Sequence, residues 1–527
     1  MTENGADARA PDNDVRGGAL KLLRGDCVRR EINALLDRCR EPRRAPPLLT
    51  ACRDIALRLP IVVFASLLRI ALPTESGAQA SPVARVSITE SGRASNHTRS
   101  ASVTRPLRST ARPGSPSSVA LRSWLTAFNS GDSARLGAYA RRFEPDVVVT
   151  DEIGFREQTG GFDLVGIMRR EPRHVEFLVR ERKGPMTAFG VIDVSAAAQH
   201  RVTGRRFQPL GPNVHAADLH IGAAVRSSTL AAANAMLDTF YVLPDVAQRV
   251  TDTLRAREAR GAYRRFENGV MFAMQLDDEL AALTRDKHLH LMYSVPPLPP
   301  DSPANAGATL PMHSPDDARR EQLRLNARRC GFDKVDVLSG NVGYVKLDMF
   351  ADPAFCEVAA SVAMTAVAAT RALIFDLRDN GGGEPAMVSL VASYLFDRRT
   401  HLNDLWTRRT GTTEEFWTRD SVSGVRFGGV KPIVVLTSSR TFSGGEEFVY
   451  DLLQLKRVTV IGETTGGGAH PMASHRIGEH FMLTVPFARP VNPVTHTNWE
   501  GVGVAPHVTV PADDALRAAL QQIGRDR

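Results

Sequence analysis

The spacing of apolar residues changes period several times along this chain, and each change predicts an element. Residues 431–453 open on the short apolar run Ile433, Val434, Val435 and Leu436, the mark of a buried strand. A polar turn covers 437–441. The chain then leaves as an amphipathic helix with Phe448, Leu452 and Leu453 on one face. Residues 371–385 repeat the plan: a strand, a turn through Gly381, Gly382 and Gly383, and a helix from Pro385. The alternation begins at Gly331, with strand 342–349, helix 353–370, strand 373–377 and helix 385–396. Repeated strand–helix units predict a mixed sheet flanked by helices, an α/β fold.

Ahead of this region the period differs. Residues 229–285 carry helical spacing, broken at Pro244 and Gly261. Earlier still, 121–128 is amphipathic, 129–132 is a break and Ser133–Phe143 reads as a second helix. Strand-like segments follow at 175–182, 186–194 and 201–210, which predicts a small α+β domain. Residues 81–118 are rich in Ser, Thr, Arg and Pro and read as a flexible linker. The most apolar stretch, 57–72, is interrupted by Arg69 and is too short to span a bilayer well. Arg53 and Arg58 give it a basic N-terminal side, and Ala78 and Ala80 follow it, which is a secretory signal pattern. Its internal position requires a downstream start or a long leading extension; otherwise 57–72 is an ordinary buried helix. The expected organisation is a signal-like extension over 1–80, a linker over 81–118, the small domain over 119–212, a helical bundle over 228–296 and a catalytic domain over 297–527. A Pro-rich crossing lies at 296–307.

Composition narrows the partners. A length of 527 residues suggests about three domains. The net charge of +8 raises nucleic acid as a partner, but the arginines crowd into the first part of the chain. No basic run alternates with aromatics, so no nucleic-acid partner is expected. Three of five cysteines (Cys27, Cys39 and Cys52) lie in the N-terminal arm, and Cys330 and Cys356 lie further on. No pair has C-x-x-C or zinc-ligand spacing, so neither a disulfide scaffold nor a metal site is expected. No cofactor motif is present.

Ser443 carries the candidate chemistry. It stands where strand and turn become helix, followed by Gly444 and Gly445. A serine there is presented at the sheet's end, beside unpaired amides and the positive end of a helix dipole, which suits acyl transfer. It equally suits a plain helix N-cap, with Glu446 completing a capping box.

Four stretches, taken in order, resemble the tail-specific (C-terminal processing) serine peptidase family: the Gly381–Gly383 turn, the Ser443 junction, the loop Gly466, Gly467, Gly468, Ala469, His470, and Trp499, Glu500, Gly501, Val502, Gly503. The branch resembled includes the tricorn core and the interphotoreceptor retinoid-binding protein, and the likeness runs from residue 229 to the C-terminus. It implies a crotonase-like βα spiral preceded by a helical bundle, and a serine-type peptidase working through an acyl-enzyme at Ser443 on peptide or protein substrates. The small domain more loosely resembles nuclear-transport-factor-like domains, which implies substrate positioning or dimer contact. Many family members use a lysine base, but none stands in the Gly466–Gly468 loop, and Lys456 lies at the far end of the helix. The tricorn-like alternative implies His288 as base, Glu500 as its support, and Gly444 and Gly382 as oxyanion donors. Lys287 stands where that branch has a serine, so a four-residue relay is not expected. His470 is the competing base, and His290, His475, His480 and His496 are further candidates. Asp376 and Arg378 are expected to stabilise the glycine turn. There is no room for a PDZ domain, so grip on substrate tails is not inherited. The retinoid-binding relatives imply a second reading, a binding module for apolar ligands. Location in the periplasm or envelope is expected, with the cytoplasm as alternative.

Overall fold

The computed structural model describes residues 114–299 and 315–525. These fall in the compact unit Ile61–Arg527; the signal-like stretch, the arm cysteines and most of the linker lie outside the described residues. Three helices come first: α1 (Pro116–Ser130), α2 (Ser133–Phe143) and α3 (Val149–Thr159). Pro116 begins α1 inside the expected linker, and its fixed φ suits the first turn of a helix. Asp132 caps α2 by accepting the N–H groups of Ala134 and Arg135 at 2.7 and 3.2 Å. The strands β1 (Phe162–Arg170), β2 (His174–Glu181), β3 (Met186–Val194) and β4 (Val202–Pro212) form an antiparallel meander in that order. Neither α3 nor β1 was expected. Only Thr159 of α3 and Phe162 of β1 are buried, so neither shows a clear apolar period.

The bundle follows as α4 (Ala223–Phe240), α5 (Pro244–Ala259) and α6 (Gly269–Thr284), with the breaks at Pro244 and Gly261 as expected. Leu178, Phe189, Val191 and Leu210 of the small domain share its core. After α6 comes β5 (His290–Tyr293), which pairs antiparallel with β14, residues Phe481–Pro486. This short strand joins the bundle to chain nearly two hundred residues downstream.

The central sheet is built from β6 (Phe332–Leu338), β7 (Val342–Leu347), β8 (Ala372–Asp376), β11 (Ile433–Thr437), β12 (Thr459–Gly462) and β16 (Val508–Thr509). Its order is β16-β12-β11-β8-β7-β6, parallel except for the edge strand β6. Period-two alternation sets its faces. Leu373 and Phe375 of β8, with Ile433 and Val435 of β11, enter one core with α8 (Pro353–Val367), α9 (Pro385–Ser393) and α10 (Gly444–Gln454). Ala372, Ile374, Val434 and Leu436 enter a second core under the C-terminal helix α11 (Ala515–Arg525). Helix α7 (Pro315–Ala327) precedes the sheet. Two three-stranded sheets were not foreseen: β9 (His401–Thr407) between β10 (Thr412–Trp417) and β15 (Ala488–Val491), and β13 (Met472–Arg476) beside β14 and β5. Among the described residues no helix is long and apolar enough to cross a membrane.

Cys330 and Cys356 form a disulfide across a sequence separation of 26 residues, both buried. Cysteine spacing gave no sign of this single bridge, because spacing carries no information on pairs brought together by the fold. Closing a loop of that length is worth about 3–4 kcal/mol by chain entropy. Cys356→Ser is therefore expected to lower unfolding free energy by about that amount. Denaturant titration of oxidised protein checks it, and an unchanged midpoint would refute it.

Candidate active site

The site starts from two adjacent strand ends. Because β8 and β11 are neighbours, the turns that follow them meet. Thr441 Oγ1 donates to Leu377 O at 2.8 Å, and the Phe442 N–H donates to Asn380 O at 2.9 Å. Wholly buried Asn380 returns its Nδ2 to Leu347 O at 2.8 Å. Between these bonds Ser443 is held at φ 53° and ψ −123°, a left-handed conformation rare for a residue with a side chain. Strain of this kind costs about 1–3 kcal/mol and persists only where the surroundings over-determine it. The glycine turn packs directly against the serine. A Cβ on Gly382 would sit 2.7 Å from Ser443 Cβ, and one on Gly444 would sit 3.0 Å from Gly383 N.

The amides differ from expectation. The Gly382 N–H donates to Asn380 Oδ1 at 2.9 Å, so it is engaged inside the turn rather than offered to a ligand. Phe350 pairs with this turn through Gly382 O and the Glu384 N–H. That pairing leaves over the Gly383 N–H, beside the N–H of Gly444 at the first position of α10. Asp376 and Arg378 pair with each other at 2.6 Å, and Arg378 also bonds Ala512 O.

Glu446 does more than cap. Its buried carboxylate accepts the Ser443 N–H at 3.0 Å, Thr465 Oγ1 at 2.5 Å, and the N–H groups of Gly467 and Gly468 at 2.6 and 2.8 Å. Burial pushes its pKa up against the pull of those donors. A Cβ on Gly468 would lie 2.2 Å from Phe442 Cζ and 2.8 Å from His288 Cε1, so that glycine makes room for both rings.

His288 reaches the loop from the end of α6. Its ring stacks on Phe442 with centroids 4.7 Å apart, and its backbone is held by Asp286 Oδ1 at 2.9 Å and Thr484 Oγ1 at 2.8 Å. Its Nδ1 is buried without a hydrogen-bond partner. Burial lowers its pKa to about 4, with Asp286 opposing and His470 and His290 adding to the shift, so the imidazole is neutral at pH 7. Lys287 donates to Gly466 O.

Glu500 stands elsewhere than expected. It accepts the Ala469 N–H at 2.6 Å and lies 3.6 Å from His470 Nδ1, with no hydrogen bond to His288. The sequence motif placed it in the right loop, but the loop turns its carboxylate toward the histidine of its own neighbourhood. His470 Nδ1 bonds Asp286 Oδ2 at 2.9 Å, and Tyr241 OH bonds the same oxygen at 3.1 Å. Asp286, His470 and Glu500 bring three donor atoms within 4.8 Å of one another. In this structure the three are linked through His470 Nδ1, which bonds Asp286 and lies near Glu500. The other histidines have structural partners: His290 bonds Asp277 and Lys287 O, His475 stacks on Phe240, and His480 bonds Ser294 O. His496 occupies an exposed left-handed turn. In the sequence, Asp286 stands in the Asp-x-His stretch 285–290 on which the resemblance rests His288, and Asn380 heads the glycine turn; neither was given a role of its own, and nothing marked Tyr241.

Sheet, glycine turns and serine junction together define an α/β protein of the class expected from sequence. Residues 341–510 match the model of peptidase family S41, and 221–329 match that of the N-terminal domain of peptidase S41 in eukaryotic IRBP. The chain belongs to peptidase family S41. It is 26% identical over 195 residues to the chloroplastic carboxyl-terminal-processing peptidase 2 of Arabidopsis thaliana, covering 36% of this chain and 37% of that protein. It is 27% identical over 192 residues to the carboxyl-terminal-processing protease of Synechocystis sp., covering 34% of this chain and 43% of that protein. The chain thus spans under half the length of these curated relatives. Its structure is similar to the photosystem II D1 C-terminal processing protease with a TM-score of 0.35 at 16% identity, covering 55% of this chain and 94% of that one.

Removing the Glu446 carboxylate leaves several buried donors unpaired at once, each costing about 1–3 kcal/mol. Glu446→Ala is expected to destabilise the protein by about 3 kcal/mol or more, read by thermal or denaturant unfolding. A loss below about 1 kcal/mol would show that the loop does not depend on it.

Proposed function

We propose that this protein is a serine hydrolase of the peptidase kind, with Ser443 as nucleophile and His288 as general base. The observation that carries the reading is the left-handed backbone of Ser443 at a strand-to-helix junction, packed against the glycine turn. His288 takes the Ser443 Oγ proton as that oxygen attacks an acyl carbon. The resulting oxyanion lies against the N–H groups of Gly444 and Gly383, each such donor worth about 3 kcal/mol of barrier. The imidazolium then protonates the leaving amine, and a water deprotonated by His288 releases the acyl group from Ser443. Glu500 enters this scheme as a partner of the His470 loop rather than a direct support of His288. The carboxyl-terminal processing relatives support a peptide or protein substrate. The Cys330–Cys356 disulfide supports an oxidising compartment, in keeping with export to the periplasm or envelope.

Ser443→Ala is expected to abolish hydrolysis and fluorophosphonate labelling while circular dichroism stays unchanged. Persistent labelling would remove Ser443 from the mechanism, and an unlabelled wild type would favour a binding module for apolar ligands. A chelator is expected to leave activity intact.

The pH dependence follows from His288. A base must be neutral, and burial holds this one neutral down to about pH 4. The acid limb of kcat/KM is expected near pH 4 rather than near the ordinary histidine value of about 6.5. The unfolded chain takes up this proton below about pH 6.5 while the folded chain refuses it, so stability falls as pH drops from there towards 4. An acid limb at pH 6 or above in a rate profile would contradict the assignment.

A further inference from the structure

Asp286 is used by nothing in the scheme above, although it is nearly wholly buried directly after α6. One carboxylate oxygen accepts the backbone N–H of His288 at 2.9 Å. The other accepts His470 Nδ1 at 2.9 Å and Tyr241 OH at 3.1 Å. All four residues are buried and come from three places: Tyr241 from the end of α4, Asp286 and His288 from the end of α6, His470 from the glycine loop.

We propose that Asp286, and not Glu500, is the acid that supports His288, acting as a positioning residue fastened by His470 and Tyr241. This rests on the reading of His288 as base. Asp286 fixes the base's backbone through its N–H and places a negative charge beside the ring. His288 Nδ1 has no hydrogen-bond partner, so the support is electrostatic and conformational, without the ring-to-carboxylate bond of a Ser–His–Asp triad. An imidazolium formed during acyl transfer is stabilised by that charge. Burial pushes the Asp286 carboxyl up, but the hydrogen bond and charge of His470 outweigh it and hold the group below its ordinary value. Glu500 differs on each point. It lies beyond hydrogen-bond distance of His470 Nδ1, and burial followed by the Asp286 charge raises its pKa. The other groups facing His288 are His470 and His290, and His290 is bonded to Asp277. The adjacent Lys287 ammonium is turned to Gly466 O.

The experiment follows the His288 ring by nitrogen-15 NMR titration in Ser443→Ala protein, alongside kcat and KM in the active background. Asp286→Asn is expected to move the ring titration and the acid limb to lower pH. It is also expected to lower kcat about 100-fold with KM little changed, the scale of a misplaced catalytic group. Tyr241→Phe, which removes one bond and keeps the carboxylate, is expected to shift both in the same direction by less, and decides the matter if Asp286→Asn does not fold. His470→Gln retains an amide donor for Asp286 and is expected to keep more activity than His470→Ala. Glu500→Gln is expected to leave the ring titration in place. The proposal is overturned if Glu500→Gln moves the titration while Asp286→Asn or Tyr241→Phe does not. It is also overturned if His470→Gln abolishes labelling that His288→Ala retains. Should the wild type fail to react with the fluorophosphonate, the hydrolase reading falls, and the ring titration still decides whether Asp286 supports His288.

Discussion

Both oxygens of a fully buried carboxylate, Glu446, are saturated by donors from two directions. Ser443 and its helix lie on one side; Thr465, Gly467 and Gly468 lie on the other. In a low-dielectric interior such bonds are strong when complete and costly when broken, so the serine junction and the glycine loop hold or fail together. The cap and the reactive junction are therefore one structure rather than rival readings of it. The carboxylate that accepts the Ser443 N–H ahead of α10 also brings up the loop against which His288 rests.

That arrangement depends in turn on strand order. With β8 beside β11, the two turns exchange hydrogen bonds through Asn380, Leu377, Thr441 and Phe442. Each such bond is worth about 1 kcal/mol net, enough in sum to offset the left-handed conformation of Ser443. The disulfide adds to this frame from outside. The Asp348 N–H bonds Gly331 O, next to Cys330, while the Gly381 N–H and Gly382 O bond Asp348 and Phe350.

Buried ionisable groups set opposite limits on the folded state. His288 stays neutral where the unfolded chain would be charged, which disfavours folding toward acid. Further along α10, Glu447 and Asp451 are buried; desolvation raises Glu447 to about 7 and Asp451 well above its ordinary value. Their folded forms keep protons that the unfolded chain gives up, so rising pH disfavours folding. Amides of Asn403 and Asn492 ease, without removing, the cost of burying these acids.

Much was legible in the sequence because it is local. The strand-to-helix runs at β8 and β11, the helices of the bundle, the exact extent of α2 and the junction at Ser443 follow from side-chain period, caps and glycine, which act over a few residues. The weakly buried α3 and β1, and the sheets of β9, β10, β13 and β15, left little trace because their partners are distant in sequence. The same distance hid the site's wiring. No spacing rule ties Cys330 to Cys356, Tyr241 to Asp286, or Asp286 to His470; packing of the bundle on the catalytic sheet decides those pairs. Residue type marked Glu500 and Gly382 as participants, but direction is a tertiary property. A carboxylate or an N–H serves whichever neighbour the folded backbone turns it toward, and here those neighbours are the His470 loop and Asn380.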